Sequence, residues 1–132
     1  MPRFSVRSQN NLGTCHSDLR RIFEEVIKEF DCTVLCGYRN EVDQEKAFAE
    51  GRTKVHFPRS KHNHFLSIAV DVVPYPIDWD NIERFKELAK HVHAVADRFG
   101  IAVRHGADWN RNGIYTDEKF VDWPHWELVD VL

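Results

Sequence analysis

The sequence predicts an α+β fold in which helices pack on a small, largely antiparallel sheet. Segments with helical apolar periodicity alternate with short stretches rich in β-branched residues, and no internal repeat or linker interrupts them. The 132 residues give room for a single domain, residues 1–132, rather than two domains. With 42% apolar and 30% charged residues, the composition is that of a globular domain with a packed core.

The first predicted helix covers residues 16–30, where apolar residues recur at intervals of three and four. A strand is expected over 32–37, because Cys32, Val34 and Cys36 alternate along it and would share one face. The odd number of cysteines, three, argues against a disulfide framework and favours buried free thiols.

The second predicted helix covers residues 41–50, with an asparagine as N-cap before it and a glycine that ends it. A polar, basic loop is expected over 52–66. The next strand is predicted over 67–73, and Pro74 ends it because proline cannot donate to a β-ladder.

The third predicted helix covers residues 82–99 and has the clearest apolar stripe in the chain. Asp80 and Glu83 resemble a capping box at its start, and Gly100 follows its end. The remaining predicted elements are a strand over 101–104, a long loop over 106–123 and a final strand over 125–131.

The charge distribution argues against nucleic acid as a partner. Eighteen Lys and Arg residues stand against 21 Asp and Glu residues, which gives a net charge of -3. A basic run without an acidic residue nevertheless lies in the predicted loop: Arg52, Lys54, Arg59 and Lys61. This run is compatible with a local contact to an anionic partner and equally with a solvated loop.

No apolar stretch approaches the roughly 18 residues that span a bilayer, and the N-terminus lacks the apolar region of a signal peptide. We therefore expect no membrane insertion. A cytoplasmic location in the cell that makes the protein is the corresponding expectation.

Asp71 is the polar residue most out of place, because it lies within an apolar strand. A buried carboxylate must be hydrogen-bonded, paired with a charge or bound to a metal. His62 upstream and His125 downstream are candidate partners, and two imidazoles with one carboxylate leave zinc the open position typical of catalytic sites. Asp122, three residues before His125, could take a proton from water and pass it to a leaving amine. Spacing alone leaves other triplets open, because the chain has eight histidines.

Three motifs resemble, in their order, the signature of the LAS-type zinc peptidases: Ser60-Lys61-His62, Ala69-Val70-Asp71 and Asp122-Trp123-Pro124-His125. That family holds D-alanyl-D-alanine carboxypeptidases, D-Ala-D-Ala dipeptidases and phage L-alanyl-D-glutamate endolysins. Further segments resemble the phage endolysin branch: Gly37-Tyr38-Arg39, Val72-Val73-Pro74-Tyr75, Ile77-Asp78-Trp79 and Gly106-Ala107-Asp108-Trp109-Asn110. The similarity extends from about Leu12 to the end of the chain.

The resemblance implies one catalytic zinc ion. The zinc ligands that it implies are His62, Asp71 and His125. Asp122 would be the catalytic base, and Arg39 would be a substrate-facing guanidinium that polarises or anchors a carbonyl or carboxylate. Ser60 would contact the substrate and support the zinc ligands by hydrogen bonding.

One departure from the family pattern concerns the first zinc ligand. The segment between His62 and Asp71 is two residues longer than the usual His-x-x-Gly-x-Ala-x-Asp, and Ser67 stands where glycine is expected. His64 restores the usual spacing, whereas His62 keeps the Ser-x-His context. We favour His62, since a loop absorbs two residues more easily than the site loses its serine, and His64 stays the alternative.

Residues 108–113 match the first half of a calcium loop, Asp-x-Asn-x-Asn-Gly. The second half of the motif fails, because position twelve is Lys119 and Glu118 lies one residue short. A polar turn is the favoured interpretation, with weak Ca²⁺ binding as the alternative.

The expected function is that of an endolysin, a zinc-dependent hydrolase of the L-Ala to D-Glu bond in peptidoglycan stem peptides that causes host cell wall lysis. The alternatives are a D-Ala-D-Ala carboxypeptidase or dipeptidase, and a non-catalytic zinc-containing wall-binding module, which would not need Asp122. We expect a monomer that accumulates in the host cytoplasm without a signal peptide. It would reach the wall only after membrane permeabilisation.

Overall fold

Two helices open the chain, strands and helices then alternate, and two strands close it. The computed structural model describes residues 2–115, 121–129 and 131. Its elements are α1 (Val6–Leu12), α2 (Ser17–Val26), β1 (Cys32–Cys36), α3 (Glu41–Ala49), a 3₁₀ turn (Lys61–Asn63), β2 (Ala69–Pro74), α4 (Ile82–Phe99), β3 (Val103–His105) and β4 (His125–Leu128).

The strands form one sheet in the order β1-β2-β4-β3, and every neighbouring pair is antiparallel. Asp71 on β2 lies opposite Cys36 on β1 and opposite His125 on β4. Three positions that are far apart in the sequence therefore meet at one level of the sheet. The predicted α+β fold with a small antiparallel sheet is confirmed.

One face of the sheet packs against α2 and α4 to form the hydrophobic core. The helices bury apolar stripes, which comprise Leu19, Ile22, Phe23 and Val26 from α2 and Phe85, Leu88, Ala89, Val92, Val95 and Ala96 from α4. The sheet adds Val70, Val72, Trp126 and Leu128. Removing each large side chain from water contributes about 1.5–3 kcal/mol, so this face holds the sheet in place.

Helix α1 is an element that the apolar pattern does not predict, because it is short and mostly polar. Ser5 caps it by accepting a hydrogen bond from the Ser8 N–H at 3.1 Å. The Ser8 hydroxyl accepts from the Val34 N–H at 3.0 Å, and the Asn11 amide donates to the Val34 carbonyl at 2.9 Å. The helix thus covers the outer edge of β1, which would otherwise present unpaired backbone groups.

The first long helix ends four residues earlier than predicted. After Val26 the backbone continues in tighter turns, in which the Lys28 N–H donates to Glu25 and the Glu29 N–H donates to Val26. The apolar stripe nevertheless continues to Phe30, which is buried. Side-chain periodicity does not distinguish the α-helix from the turns that prolong it.

Helix α4 begins as predicted, but a different residue caps it. The side chain of Asn81, not that of Asp80, accepts from the Arg84 N–H, so the predicted capping box is wrong. The following strand begins at Val103 rather than at residue 101, because the Ile101 N–H still bonds to the last turn of the helix at Ala96.

The three cysteines are free thiols, as their odd number predicted, and Cys15 and Cys32 are buried. Cys36 is only half-buried and does not share the face of Cys32 and Val34 as predicted, because the register shifts between Val34 and Cys36 and places Cys36 opposite Asp71. Burial raises the pKa of Cys15 and that of Cys32 to about 12. Within the described ranges, no helix is both long and apolar enough to cross a membrane.

Candidate active site

Asp71 lies at the centre of a polar cluster on the sheet face opposite the core. Its neighbours along β2, Val70 and Val72, belong to the core, and the alternation of side chains turns the carboxylate to the other face. The backbone on both sides of it is held by β1 and β4. The carboxylate therefore has a fixed position at the floor of a cleft.

The 3₁₀ turn places His62 beside Asp71. The Ser60 hydroxyl accepts from the His62 N–H at 3.2 Å and begins this turn. The His62 Nδ1 bonds to the Gly37 carbonyl at 2.8 Å, which turns Nε2 toward Asp71 Oδ1, 3.3 Å away. Gly37 is required there, because a Cβ would collide with the Thr14 hydroxyl and with the Asn11 carbonyl at the end of α1.

His125 approaches Asp71 from the neighbouring strand β4, on the same face of the sheet. Its Nδ1 lies 3.4 Å from Asp71 Oδ1, and its Nε2 bonds to the Glu127 carboxylate at 2.9 Å. Glu127 is buried and lies 3.5 Å from the Arg104 guanidinium. A carboxylate behind an imidazole fixes its ring orientation and leaves the other nitrogen facing the cleft, which is typical of metal-ligating histidines.

The converging atoms fit a divalent metal ion. Nε2 of His62 and Oδ1 of Asp71 are buried, and neither makes a hydrogen bond within the described part of the chain. Ligand atoms of Asp71, Asp122 and His125 lie within 4.8 Å of one another. Two nitrogens and one oxygen are a common donor set for zinc at catalytic sites. Buried polar atoms without a hydrogen bond cost free energy, and a cation bound between these two atoms would remove that cost.

A second set of possible ligand atoms joins Cys36 to His62 and Asp71 within the same limit. The Cys36 Sγ lies 4.0 Å from His62 Nδ1, the nitrogen that already bonds to the Gly37 carbonyl. Cys36 is half-buried and lines the larger cavity of the cleft. The sequence predicted this cysteine on the buried face of the strand, and only the register with Asp71 reveals its place beside the site.

Electrostatics at the cluster favour a cation. Burial opposes charging of His62, but the Asp71 carboxylate outweighs it and raises the pKa of His62 to about 10. The same interaction, against the effect of burial, holds the pKa of Asp71 well below its usual range. Burial opposes charging of His125 as well, but the neighbouring carboxylates of Asp71 and Glu127 outweigh it and raise the pKa of His125. A proton and a metal ion would therefore compete for the same ligand atoms.

Asp122 lies beside the ligand atoms on the segment that leads into β4. Its backbone is fixed by a bond from its N–H to the Gly106 carbonyl at 2.8 Å and by the His125 N–H, which donates to the Asp122 carbonyl at 3.1 Å. The backbones approach so closely that a side chain at Gly106 would collide with Asp122. Burial and the negative charge of Asp71 raise the pKa of Asp122, which makes it a better proton acceptor than an ordinary aspartate.

Arg39 reaches into the cleft from the end of β1. Its Nη2 lies 3.6 Å from Asp71 Oδ2, and its Nη1 donates to the Gln44 side-chain oxygen at 3.0 Å. Gln44 is fully buried on α3, accepts a second bond from Asn63 at 3.1 Å, and donates to the Val55 carbonyl at 2.8 Å. Sequence patterns did not identify Gln44 as a residue that orients the guanidinium.

The cleft has two connected arms that meet at Arg39, Arg52, Asp71 and Asp122. The aromatic arm, with a cavity of about 620 Å³, is walled by Trp79, Phe85 and Trp123. The cationic arm, about 410 Å³, contains the two histidines of the cluster and is lined by the basic residues of the loop after α3: Arg52, Lys54, Arg59 and Lys61. Ser60 also lines the cationic arm, where a substrate could contact it.

The two candidates for the first zinc ligand, His62 and His64, have different surroundings in the structure. His62 is buried beside Asp71, whereas His64 is exposed and lines neither cavity. The two extra residues are accommodated after the 3₁₀ turn, where Phe65 is 71% exposed and packs edge-on against Tyr38. Ser67, in the position of the expected glycine, is buried and its hydroxyl donates to the Ala69 carbonyl at 2.6 Å.

The segment that resembles a calcium loop folds as a polar turn over its described part. Asp108 accepts from the N–H groups of Asn112 at 3.2 Å and of Gly113 at 2.8 Å. Positions Glu118 and Lys119, where the motif departs from a calcium loop, lie outside the described residues. Calcium binding stays a prediction.

Comparisons with known proteins agree with the geometry. The family model of the phage L-alanyl-D-glutamate peptidases matches residues 1–129. The L-alanyl-D-glutamate peptidase of Escherichia phage T5 is 31% identical over 135 residues, covering 96% of this chain and 98% of that protein. The crystal structure of the Serratia marcescens L-Ala D-Glu endopeptidase ChiX matches with a TM-score of 0.76 at 28% identity, covering 96% of this chain and 90% of that one. The chain therefore belongs to the phage L-alanyl-D-glutamate peptidase family, as its motifs predicted.

Proposed function

We propose that the protein is an endolysin that hydrolyses the L-Ala to D-Glu bond of peptidoglycan stem peptides with one zinc ion held by His62, Asp71 and His125. The observation that carries the proposal is the convergence of unbonded His62 Nε2 and Asp71 Oδ1 with His125 Nδ1 at the floor of an open cleft. Family membership supports the choice of bond and of reaction.

Zinc bound by these donors would supply water activated for attack at neutral pH and polarisation of a carbonyl oxygen. A carboxylate oxygen of Asp122 lies within 4.8 Å of the ligand atoms of Asp71 and His125, and the pKa of Asp122 is raised, so its carboxylate can accept a proton from the attacking water. The same group can then deliver the proton to the amine of D-Glu as the peptide bond breaks. Asp122 is therefore the proposed base and acid of the reaction.

Arg39 is proposed to bind the substrate at the junction of the two arms. Gln44 fixes one side of its guanidinium, and the other side faces Asp71 and the cleft. In that position its N–H groups can donate to the carbonyl oxygen of the scissile bond, or to a carboxylate next to it. Ser60 is proposed to hold the turn that carries His62 and to contact the substrate from the wall of the cationic arm.

Muropeptide analysis with controlled metal content tests the proposal. The protein would be stripped by a chelator, reloaded with one equivalent of zinc and incubated with purified peptidoglycan. We expect mass spectrometry to find peptides that begin with D-Glu, and only after reloading. Release of terminal D-Ala would assign the carboxypeptidase alternative, and binding to the wall without cleavage would assign the non-catalytic alternative. Full activity after exhaustive chelation would contradict the zinc site.

We further propose that the enzyme is monomeric. Light scattering after gel filtration checks this state. We also propose that the protein acts on the wall from the host cytoplasm once the membrane is permeabilised. Added outside intact Gram-negative cells, it should lyse them only after the outer membrane has been made permeable.

A further inference from the structure

The two arms of the cleft differ in charge. The cationic arm is lined by Arg52, Lys54, Arg59 and Lys61, and its acidic residues lie at the floor with the metal-ligand candidates. The aromatic arm is lined by four aromatic residues, Tyr38, Trp79, Phe85 and Trp123. Its own charged pair, Asp43 and Lys46, is of mixed sign. An asymmetric cleft of this kind would select one orientation of a substrate that is charged at one end.

The loop that carries these cations is attached to α3 at several points. Gln44 donates to the Val55 carbonyl at 2.8 Å, while the Glu45 carboxylate accepts from the Phe57 N–H at 3.1 Å and contacts His56 Nδ1 at 2.7 Å. The Arg59 N–H then closes a turn onto the His56 carbonyl at 2.9 Å. The loop therefore has a defined conformation that presents its basic side chains to the cleft.

Two of the cations are available for a ligand. Arg52 already pairs with Glu50 at 2.8 Å. Arg59 and Lys61 are exposed, and neither forms an ion pair with a carboxylate of the described residues, although the charge of Lys61 acts on the buried Glu127 of the same arm. They flank Ser60 in the sequence and line the same arm as the buried His62, so a ligand that occupies this arm lies beside both of them.

The stem peptide has a matching asymmetry at the proposed scissile bond. On the L-Ala side the chain continues as an amide to the muramyl lactyl group, which is neutral. On the other side D-Glu continues through its γ-carboxyl group, so its α-carboxylate is free, and the diamino acid that follows can add another carboxylate. The leaving half of the substrate is thus anionic directly next to the bond that breaks.

We propose that Arg59 and Lys61 bind the α-carboxylate of D-Glu and the acidic groups beyond it, so that the leaving half lies in the cationic arm. The muramyl-L-Ala half then lies toward the aromatic arm. This inference rests on the proposed function, and it assigns the direction in which the substrate lies. General attraction to an anionic wall polymer is the competing role of these charges. Their position inside the cleft, beside the metal donors, favours recognition of the substrate.

The test compares two soluble muropeptides that differ only in whether the D-Glu α-carboxyl group is free or is a carboxamide. The double variant Arg59→Gln/Lys61→Gln is matched by Arg7→Gln/Lys90→Gln, which removes the same charge from exposed positions outside both cavities. Zinc content and melting temperature are measured for each variant. The values of kcat/KM on both substrates give the acid-to-amide preference.

We expect the wild-type protein to prefer the substrate with the free acid. In the double variant, kcat/KM should fall about tenfold on the acid and less than about twofold on the amide. This difference corresponds to the loss of one charge-assisted contact. The matched variant should keep the wild-type preference. An equal loss on both substrates, an equal loss in the matched variant, or an unchanged preference would each overturn the inference. If these charges only attract the wall polymer, the loss should be equal on the two substrates.

A binding measurement separates this inference from the proposed function. The D-Glu peptide that the proposed cleavage releases is titrated into the wild-type protein and the double variant by calorimetry, and no turnover is needed. Weaker binding of about tenfold in the double variant supports the inference even if neither muropeptide is cleaved, whereas equal binding contradicts it. Failure of the wild-type protein to cleave either muropeptide would instead contradict the proposed function.

Discussion

The two faces of the sheet are built by the same strands but depend on different kinds of interaction. Along β4, Trp126 and Leu128 belong to the apolar core, while His125 and Glu127 line the cleft. Asp71 on β2 likewise lies between two valines of the core. The alternation of side chains along a strand allows one segment to stabilise the fold and to carry the chemistry.

The comparison shows that the two roles are separable. Core side chains gain free energy from burial, which many apolar residues of the right volume can supply. Polar atoms of the cleft each have a specific partner, such as Glu127 for His125 or Gln44 for Arg39. Substitutions on the core face should therefore change stability, and substitutions on the cleft face should change metal binding or activity.

The largest effect is expected for Asp122→Asn on the cleft face. Loss of the carboxylate removes the proton acceptor, so kcat should fall by about 10² to 10⁴-fold, the range for general acid–base catalysis. Zinc content, measured by atomic absorption, should stay that of the wild-type protein. His125→Ala is the comparison variant and should lose both zinc and activity. Equal metal loss in the two variants would make Asp122 a ligand and contradict its proposed role.

On the core face, Leu88→Ala should be destabilising without changing the chemistry. Leu88 is 1% exposed within α4, and truncation of a buried leucine costs about 2–5 kcal/mol of the free energy of unfolding. Urea unfolding measures the loss. At a temperature where the variant is folded, its zinc affinity and kcat/KM should match those of the wild-type protein. A changed zinc affinity would mean that the two faces are coupled.

A smaller effect on metal affinity is expected for Glu127→Gln, which weakens the support of His125. Loss of such a carboxylate behind a metal-ligating histidine typically costs about 10 to 100-fold in affinity. Competition with a fluorescent zinc chelator measures it. Glu83→Gln, at an exposed position on α4, removes the same charge and should leave the zinc affinity unchanged. Wild-type affinity in both variants would show that Glu127 does not support the metal site.

The cysteines of the core and of the cleft should differ in thiol reactivity. Burial raises the pKa of Cys15 and that of Cys32 to about 12, so both stay protonated and inaccessible in the folded protein. At pH 8, iodoacetamide should modify only half-buried Cys36, and bound zinc should slow that reaction because Cys36 lies beside the metal donors. Peptide mass mapping identifies the modified residue. Rapid labelling of Cys15 or Cys32 before unfolding would contradict their burial.

The raised pKa values of Cys15 and Cys32 also determine the direction in which stability changes with pH. An unfolded cysteine ionises near pH 9, whereas the buried thiols do not ionise until about pH 12. The stability that these thiols provide is therefore fully present below pH 9 and decreases as the pH rises toward 12. Replacing Cys32 by alanine should reduce this alkaline loss in urea unfolding series.

The sequence predicted the elements with a regular apolar pattern and the polar residues that interrupt such a pattern. Helix α4 has a regular apolar stripe, and Asp71 is conspicuous because it interrupts an apolar strand. Gln44 and Glu127 could not be identified, since their burial results from contacts between distant segments. The role of Cys36 beside the site depends on the register between β1 and β2, which no local pattern specifies.

Calcium binding by residues 108–113 is the smallest effect that the sequence suggests. The Asp108 oxygens already accept two backbone N–H groups, so a cation would have to share them, and any binding should be weak. We expect Trp109 fluorescence, isolated by comparison with Trp109→Phe, to change only at millimolar calcium, and Asp108→Asn to abolish the change. Magnesium is the control, because it demands a stricter octahedral geometry than this turn offers. An unchanged signal at millimolar calcium would leave the segment a polar turn that holds Trp109 beside His125, 5.3 Å between ring centres.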